Sequence, residues 1–206
     1  MAFRDDFGGT ALRADWLQAI KPSDNAAALT VGSSNLVLQS GTTAGQTRYV
    51  SLGIGAQRRS IALNFTFLLS ARQANQAWFV GLFNNQDPRV ATDWARWRWD
   101  GATAVTTAYA ESAMTGATSG LAVAQVVTTS ATVSAYRIFS DTLLANFRQG
   151  GTAFPPSMDI STNTLHIPPI QQNLWIVLGC TNANPGPAAS TTMTVDVVDV
   201  VDSVLA

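Results

Sequence analysis

RRSIALNFTFLLS, residues 58–70, alternates between large apolar side chains and small or polar ones. One parity holds Ile61, Leu63, Phe65, Phe67 and Leu69. The other holds Ser60, Ala62, Asn64, Thr66 and Ser70. Because successive side chains of a strand point to opposite faces of a sheet, this pattern predicts a long strand with one buried face.

Shorter runs of β-branched and aromatic residues, bounded by Gly, Asn, Ser or Pro, follow along the chain. They are NQAWFVGLFNN (75–85), LAVAQVVTT (121–129), TVSAYRIFS (132–140), TLLANFRQ (142–149) and NLWIVLGCT (173–181). About a dozen such runs, with no helical pattern longer than one turn, predict an all-β, antiparallel two-sheet β-sandwich. In STTMTVDVVDVV (190–201), Asp196 and Asp199 have opposite parities, so we expect a β-bulge near Val197 or Val198.

Composition favours one domain over residues 1–206, since this length suits a single β-rich core. Hydrophobic residues make up 47% and charged residues 12%, with Lys21 the only lysine and Glu111 the only glutamate. A surface with so few long charged side chains suits a protein that is densely assembled or exposed outside the cell. The prediction at this point is self-association or packing against other subunits.

Charge and hydropathy exclude two classes of partner. The net charge is −1 and no basic run exceeds Arg58-Arg59, so nucleic acid is not expected to bind. MAFRDDFGGT (1–10) lacks the apolar segment of a signal peptide, and no apolar run is long enough to span a bilayer. We therefore expect synthesis in the cytoplasm without export or membrane insertion.

Metal and cofactor sites are not expected either. Cys180 is the only cysteine and His166 the only histidine, so neither has the partners that a zinc site or a catalytic triad requires. Asp5 and Asp6 offer oxygen atoms to calcium, but without a calcium-loop spacing we expect them to cap a turn or pair with a nearby arginine. No catalytic residue, metal or cofactor is predicted.

TDWARWRWDG, residues 92–101, holds half of the six tryptophans and is the candidate binding site. Strand parity assigns Trp97 and Trp99 to the core. The opposite, solvent-facing set is Trp94, Arg96 and Arg98, with Asp100 beyond it. An indole beside guanidinium groups can stack on a sugar and bind hydroxyl or carboxylate oxygens. The alternative is structural: the arginines pair with Asp93, Asp100 or carbonyl groups, and Trp94 lies under a loop.

The two ends of the chain carry a family resemblance. FRDDFGGTALRADW (3–16) resembles the opening of concanavalin A-like lectin and glucanase jelly rolls, and TMTVDVVDVV (192–201) resembles their closing strand. ARWRWDG (95–101), PPI (168–170) and LWIVLGCTNA (174–183) follow in an order similar to that of short lectin-like proteins of tailed bacteriophages. The resemblance implies that the first and last strands pair. We also expect Gly8-Gly9 to form a tight turn with positive φ, and Trp16 to anchor the returning strand.

The resemblance also bears on function. Retaining glycanases of this superfamily carry acids alternating along one strand, as Glu-x-Asp-x-Glu or Glu-x-Asp-x-x-Glu, whereas no two acids here stand two or four residues apart. We therefore expect a non-catalytic structural or surface protein of a virion, such as a capsid decoration, baseplate or tail-associated subunit. A carbohydrate-binding module or receptor-binding lectin that recognises surface polysaccharide is the alternative. A polysaccharide hydrolase or lyase, testable at Asp93 and Glu111, ranks third.

Overall fold

The computed structural model describes residues 3–19, 29–56, 60–101, 107–124, 134–150, 156 and 158–201. Lys21, the Arg58-Arg59 pair and residues 125–129 of one predicted strand lie outside these ranges. The described residues form strands and no helix, so none of their elements is a helix that could cross a membrane. The strands are β1 (Phe3–Asp5), β2 (Trp16–Ala19), β3 (Leu29–Gly32), β4 (Asn35–Gln39), β5 (Thr47–Gly55), β6 (Ser60–Leu69), β7 (Gln76–Phe83), β8 (Trp94–Asp100), β9 (Thr107–Met114), β10 (Ala117–Ala124), β11 (Ser134–Asp141), β12 (Ala145–Gln149), β13 (Met158–Asn163), β14 (Leu174–Asn182) and β15 (Thr192–Val201).

Two antiparallel sheets pack face to face, which confirms the predicted all-β sandwich. The eight-stranded sheet has the order β13-β12-β11-β6-β15-β4-β3, with β1 paired to β15. The seven-stranded sheet has the order β10-β9-β8-β7-β14-β5-β2. Strands β7 to β10 are consecutive in the chain and adjacent in this sheet, so β8 lies between its two sequence neighbours.

Strand β6 lies at the centre of the eight-stranded sheet and supplies much of the core. All five large apolar side chains of its inner parity are fully buried, as predicted. Most of the outer parity is also buried, which the alternation did not predict: Asn64 is 4% exposed and Thr66 5% exposed, whereas Ser70 is exposed. Neighbouring β15 covers the two buried residues, because Asn64 Nδ2 donates to Asp199 and Thr66 Oγ1 donates to Asp196, each at 3.4 Å.

The predicted β-bulge in the last strand is confirmed. The pairing of β15 with β6 shifts register between Val195 and Val197, which leaves Asp196 as the extra residue. Val197 and Val198 are consequently both buried, while Asp196 and Asp199 both lie on the outer face. The bulge thus lets one strand present two acids to the same side of the sheet.

The chain ends are joined as the resemblance implies, because β1 pairs with β15 through Phe3↔Val200 and Asp5↔Val198. Trp16 is 4% exposed and anchors β2, and its Nε1 donates to the Asp5 carboxylate at 2.9 Å. The turn itself differs from our prediction. Phe7 has the positive φ, at 51°, and the two glycines do not. The physical reason is that Phe7 N donates to Asp5 Oδ1 at 2.9 Å, which fixes the turn one residue earlier.

Candidate functional site

The faces of β8 follow the predicted parity. Trp97 and Trp99 have no exposed surface and pack against Tyr136, with ring centroids 5.2 and 5.1 Å from that ring. Trp97 Nε1 donates to the carbonyl of Arg137 in the opposite sheet at 3.1 Å. These two indoles therefore belong to the core and position the strand.

The opposite face of β8 lines an open pocket of about 530 Å³ on the seven-stranded sheet. The structure brings together all three predicted site residues there, together with side chains from β9 and β10. The lining consists of Trp94, Arg96, Arg98, Tyr109, Glu111, Thr118, Ser119, Gly120 and Ala122. The site is thus built by three adjacent strands, of which the sequence pointed to one.

Glu111 is the carboxylate at the centre of this pocket. Its register partner is Arg96, and Arg96 Nε donates to Glu111 Oε2 at 3.0 Å. Arg98 also donates to both oxygens of Glu111. Its Nη2 lies 2.9 Å from Oε1, and its Nε lies 3.1 Å from Oε1 and 3.2 Å from Oε2. Arg98 Nη1 also donates to Asp100 Oδ2 at 2.9 Å. One guanidinium therefore lies between two carboxylates from neighbouring strands.

Both arginines are stacked as well as paired. The Arg96 guanidinium carbon lies 4.0 Å from the Trp94 ring centroid, and that of Arg98 lies 4.2 Å from the Tyr109 centroid. Stacking on a ring restricts a long side chain to one rotamer and orients its planar donors. The pocket therefore presents a preorganised set of aromatic and charged groups.

The pairing decides the protonation state of Glu111. Burial alone would raise the pKa of this carboxyl, but the hydrogen bonds from Arg98 and the positive charges of Arg96 and Arg98 outweigh it and lower the pKa. The same pairing raises the pKa of Arg98 although burial acts against it. Arg96 differs, because burial prevails over its attraction to Glu111 and lowers its pKa. Glu111 is consequently an anion at neutral pH.

A second apolar cluster lies on the same sheet face beside the pocket. It consists of Tyr49, Phe79, Phe83 and Val177, with Ala91, Trp94 and Trp175 packed against it. Ala91 belongs to the loop 84–93, whose ends are joined by a hydrogen bond from Asn84 N to Asp93 O at 2.9 Å. Trp94 therefore contacts both this covered cluster and the open pocket. The alternative prediction, that Trp94 lies under a loop, is thus also partly correct.

Asp93 is not part of the pocket, contrary to the pairing and the catalytic test that we considered for it. It is 7% exposed and accepts hydrogen bonds from Thr115 N at 2.7 Å and Gln172 Nε2 at 3.0 Å. Its carboxylate caps the β9–β10 turn and is occupied by these donors.

The sequence interpretation missed the role of Glu111 and of Tyr109. Both lie on β9, where Ala108 and Ala110 are buried and the two larger residues face outward. This period-two pattern in TAYAES was available from the sequence. The signal that was missing is the register, which places Glu111 opposite Arg96 and Tyr109 opposite Arg98.

The remaining candidate residues do not line the pocket, and some of them have structural roles. Cys180 is 1% exposed, and burial raises the pKa of its thiol. Asp6 caps the first turn by accepting from Gly8 N at 3.3 Å. Arg13 pairs with Asp15 at 2.9 Å, not with Asp5 or Asp6. Within the described ranges, no three His, Cys, Asp or Glu residues are grouped as metal ligands would be.

Comparison with known proteins identifies the fold. No protein-family model matches the chain, and no curated protein matches its sequence. A laminarinase catalytic domain from Thermotoga petrophila RKU-1, an endo-1,3-beta-glucanase, matches with a TM-score of 0.71 and 12% identity over 96% of this chain and 95% of that chain. A lichenase, a beta-1,3-1,4-glucanase, derived from a mouse hindgut metagenome matches with a TM-score of 0.72 and 10% identity, covering 98% and 99%. An endo-beta-1,3-glucanase from Pyrococcus furiosus gives 0.72 and 10%, covering 96% and 92%.

These likenesses show the fold, which is the jelly roll of glucanases, as the concanavalin A-like resemblance implied. They do not show the finer resemblance to bacteriophage proteins. Our prediction of a non-catalytic structural or surface protein of a virion is wrong, because the matching structures are glucanases. That prediction gave most weight to the spacing of acids along one strand, whereas the sheet brings Glu111 of β9 and Asp100 of β8 to one arginine.

Proposed function

We propose that the protein is a polysaccharide hydrolase that binds a glycan chain in the pocket lined by Trp94, Arg96, Arg98, Tyr109 and Glu111. The observation that carries the proposal is the ionised carboxylate of Glu111, held by two arginines and flanked by aromatic rings on an open sheet face. Binding sites for small molecules combine aromatic walls with a few fixed polar groups, and the guanidinium groups stacked on Trp94 and Tyr109 can donate to the hydroxyl oxygens of a sugar. Glucanases of the same fold support the choice of a glycan as the substrate class.

The reaction needs an anion close to the anomeric carbon, because the transition state of glycoside hydrolysis has oxocarbenium character. Glu111 suits that role, since its lowered pKa keeps it charged. The leaving oxygen must also gain a proton, and water must add to the anomeric carbon as the glycosidic bond breaks. The added water supplies both the hydroxyl group that joins the anomeric carbon and the proton that the leaving oxygen gains.

The proposal is tested by incubating the protein with soluble β-1,3-glucan, β-1,3-1,4-glucan and uronic acid-containing polymers, and measuring reducing ends. We expect the wild type to release oligosaccharides from one of these polymers. Glu111→Gln should reduce turnover by about a thousandfold or more, because it removes the stabilising charge and leaves the side-chain shape. Asp100→Asn should reduce turnover less than Glu111→Gln does, because Asp100 pairs with Arg98 but does not line the pocket.

Asp159→Asn is the matched control, because Asp159 pairs with Arg148 on the eight-stranded sheet, away from the pocket. Its turnover should equal that of the wild type. The proposal is refuted if the wild type cleaves none of these polymers, or if Glu111→Gln cleaves as fast as the wild type.

A further inference from the structure

Arg96 has hydrogen-bonding capacity that the folded chain leaves unused. Its Nε donates to Glu111, whereas its two Nη groups have no hydrogen-bond partner among the described residues. Arg98, by contrast, engages Nε, Nη1 and Nη2 with Glu111 and Asp100. The end of the Arg96 guanidinium is thus a vacant pair of donors in the pocket lining, on a side chain that is 23% exposed.

The pocket lining also carries more positive than negative charge, which favours an anionic ligand. A ligand in the pocket meets two guanidinium groups and one carboxylate, because Asp100 pairs with Arg98 but does not belong to the lining. Glu111 also accepts three hydrogen bonds from Arg98 and one from Arg96. Arg96 is therefore the less neutralised cation, and burial in this position already lowers its pKa.

The geometry of the vacant donors selects the type of anion. Stacking on Trp94 at 4.0 Å fixes the plane of the Arg96 guanidinium, so Nη1 and Nη2 form a rigid fork. Such a fork matches the two oxygens of a carboxylate in a bidentate pair. A neutral hydroxyl group would satisfy only one of these donors and would leave the charge uncompensated.

We infer that the pocket binds an acidic glycan, in which the carboxylate of a uronic acid pairs with the two Nη groups of Arg96 while a sugar ring of the chain lies beside Trp94 and Tyr109. This inference rests on the proposed function, because it names the substrate class of the same pocket. It assigns Arg96 to specificity and leaves Glu111 as the group that faces the anomeric carbon.

The decisive experiment compares two ligands that differ only in the group at C6, which is neutral in one and a carboxylate in the other. One is a β-1,3-gluco-oligosaccharide, and the other is the same oligosaccharide oxidised at C6 to the glucuronic acid form. Affinity is measured by isothermal titration calorimetry at 50 and 300 mM NaCl. We expect the oxidised form to bind the wild type roughly tenfold more tightly at low salt, with a smaller difference at high salt.

Arg96→Gln removes the charge of the fork. It should weaken binding of the oxidised ligand roughly tenfold more than it weakens binding of the neutral ligand. Arg96→Lys keeps the charge without the planar fork and should recover only part of the loss. Arg148→Gln removes an arginine from the opposite sheet and serves as the control, with unchanged affinity for both ligands.

The outcomes separate this inference from the proposed function. If the neutral ligand binds the wild type as tightly as the oxidised one, or Arg96→Gln weakens both equally, the acidic-glycan inference is overturned while glycan binding remains. If a sulfated form of the oligosaccharide binds more tightly than the carboxylate form, the assignment to uronic acids is overturned. If no ligand binds and the hydrolysis assays are also negative, the proposed function fails. Because the ligand comparison uses the wild type, misfolding of a variant does not affect it.

Discussion

Glu111 shows how a single residue can link stability to the site. It is 14% exposed and holds Arg96 and Arg98 together, so it contributes to folding as well as to the proposed chemistry. Hydrogen bonds to charged groups make a net contribution of about 1.5–3 kcal/mol each. The glutamate that had no acidic neighbour in the sequence therefore bonds to both arginines of the pocket.

We predict that Glu111→Gln changes the acid stability of the protein. A carboxyl whose pKa is lower in the folded state stabilises the fold above its unfolded pKa, near the usual value of 4.5. That contribution is lost as the pH falls through the lowered folded pKa. The variant should be less stable by about 1–3 kcal/mol at pH 7, and the difference from the wild type should shrink below pH 4.5.

Urea unfolding followed by fluorescence at several pH values between 3 and 7 measures this difference. Asp15→Asn removes a carboxylate from an exposed ion pair and is the control for loss of one negative charge. A constant difference between the wild type and Glu111→Gln across this range would contradict the lowered pKa.

At the scale of strands, two glycines flank the Arg96–Glu111 pair. Gly81 of β7 lies opposite Arg96, and Gly120 of β10 lies opposite Glu111. A Cβ at Gly81 would lie 2.5 Å from the Ala95 carbonyl oxygen and 2.6 Å from the Arg96 Cβ. A Cβ at Gly120 would lie 2.9 Å from the Glu111 Cγ. The missing side chains on both sides thus leave room for the ion pair to lie flat on the sheet.

Gly81→Ala should therefore destabilise the protein by about 1–3 kcal/mol, the usual cost of forcing an extra methyl group into a packed structure. It should also weaken glycan binding, because β8 must move. Gly32→Ala on β3 is the matched control, since its Cβ would meet nothing within 4 Å. Thermal unfolding of the two variants tests this, and equal melting temperatures would show that β7 and β8 are not closely packed here.

Alternation along β6, β8 and β15 was enough to predict which side chains face the core. It also predicted the bulge that places Asp196 and Asp199 on the same face of β15. It could not predict the register between β8 and β9, because alternation assigns residues to a face but not to a partner on the next strand. For that reason Trp94, Arg96 and Arg98 were identified as site residues, whereas Glu111 was named only as a test position for hydrolysis and its pairing with the arginines was not predicted. The turn at Phe7 was mispredicted because a carboxylate hydrogen bond, not glycine, fixes its backbone.

At the scale of the whole molecule, the start of the chain ties the two sheets together. Strand β1 belongs to the eight-stranded sheet and β2 to the seven-stranded sheet. The Asp5 carboxylate joins them, because it accepts from Phe7 N and from Trp16 Nε1, and Asp5 is only 5% exposed. This buried carboxylate holds the first turn against the core.

We expect Asp5→Ala to destabilise the protein by about 2–5 kcal/mol, because it leaves two buried donors without an acceptor. Asp6→Ala removes an exposed carboxylate with one long hydrogen bond and should cost less than about 1 kcal/mol. Chemical denaturation of both variants measures the difference. Equal destabilisation by the two substitutions would contradict the proposed tie between the sheets.

Glycan binding at the Trp94 face of β8 can be observed by nuclear magnetic resonance of the indole and arginine Nε–H groups. The protein is titrated with the gluco-oligosaccharide and its oxidised form, and signals are assigned by single substitutions. The account predicts that the Trp94 indole and the Nε–H signals of Arg96 and Arg98 shift with saturation, while those of buried Trp97 and Trp99 stay in place. Shifts confined to other tryptophans, or none at saturating ligand, would contradict it.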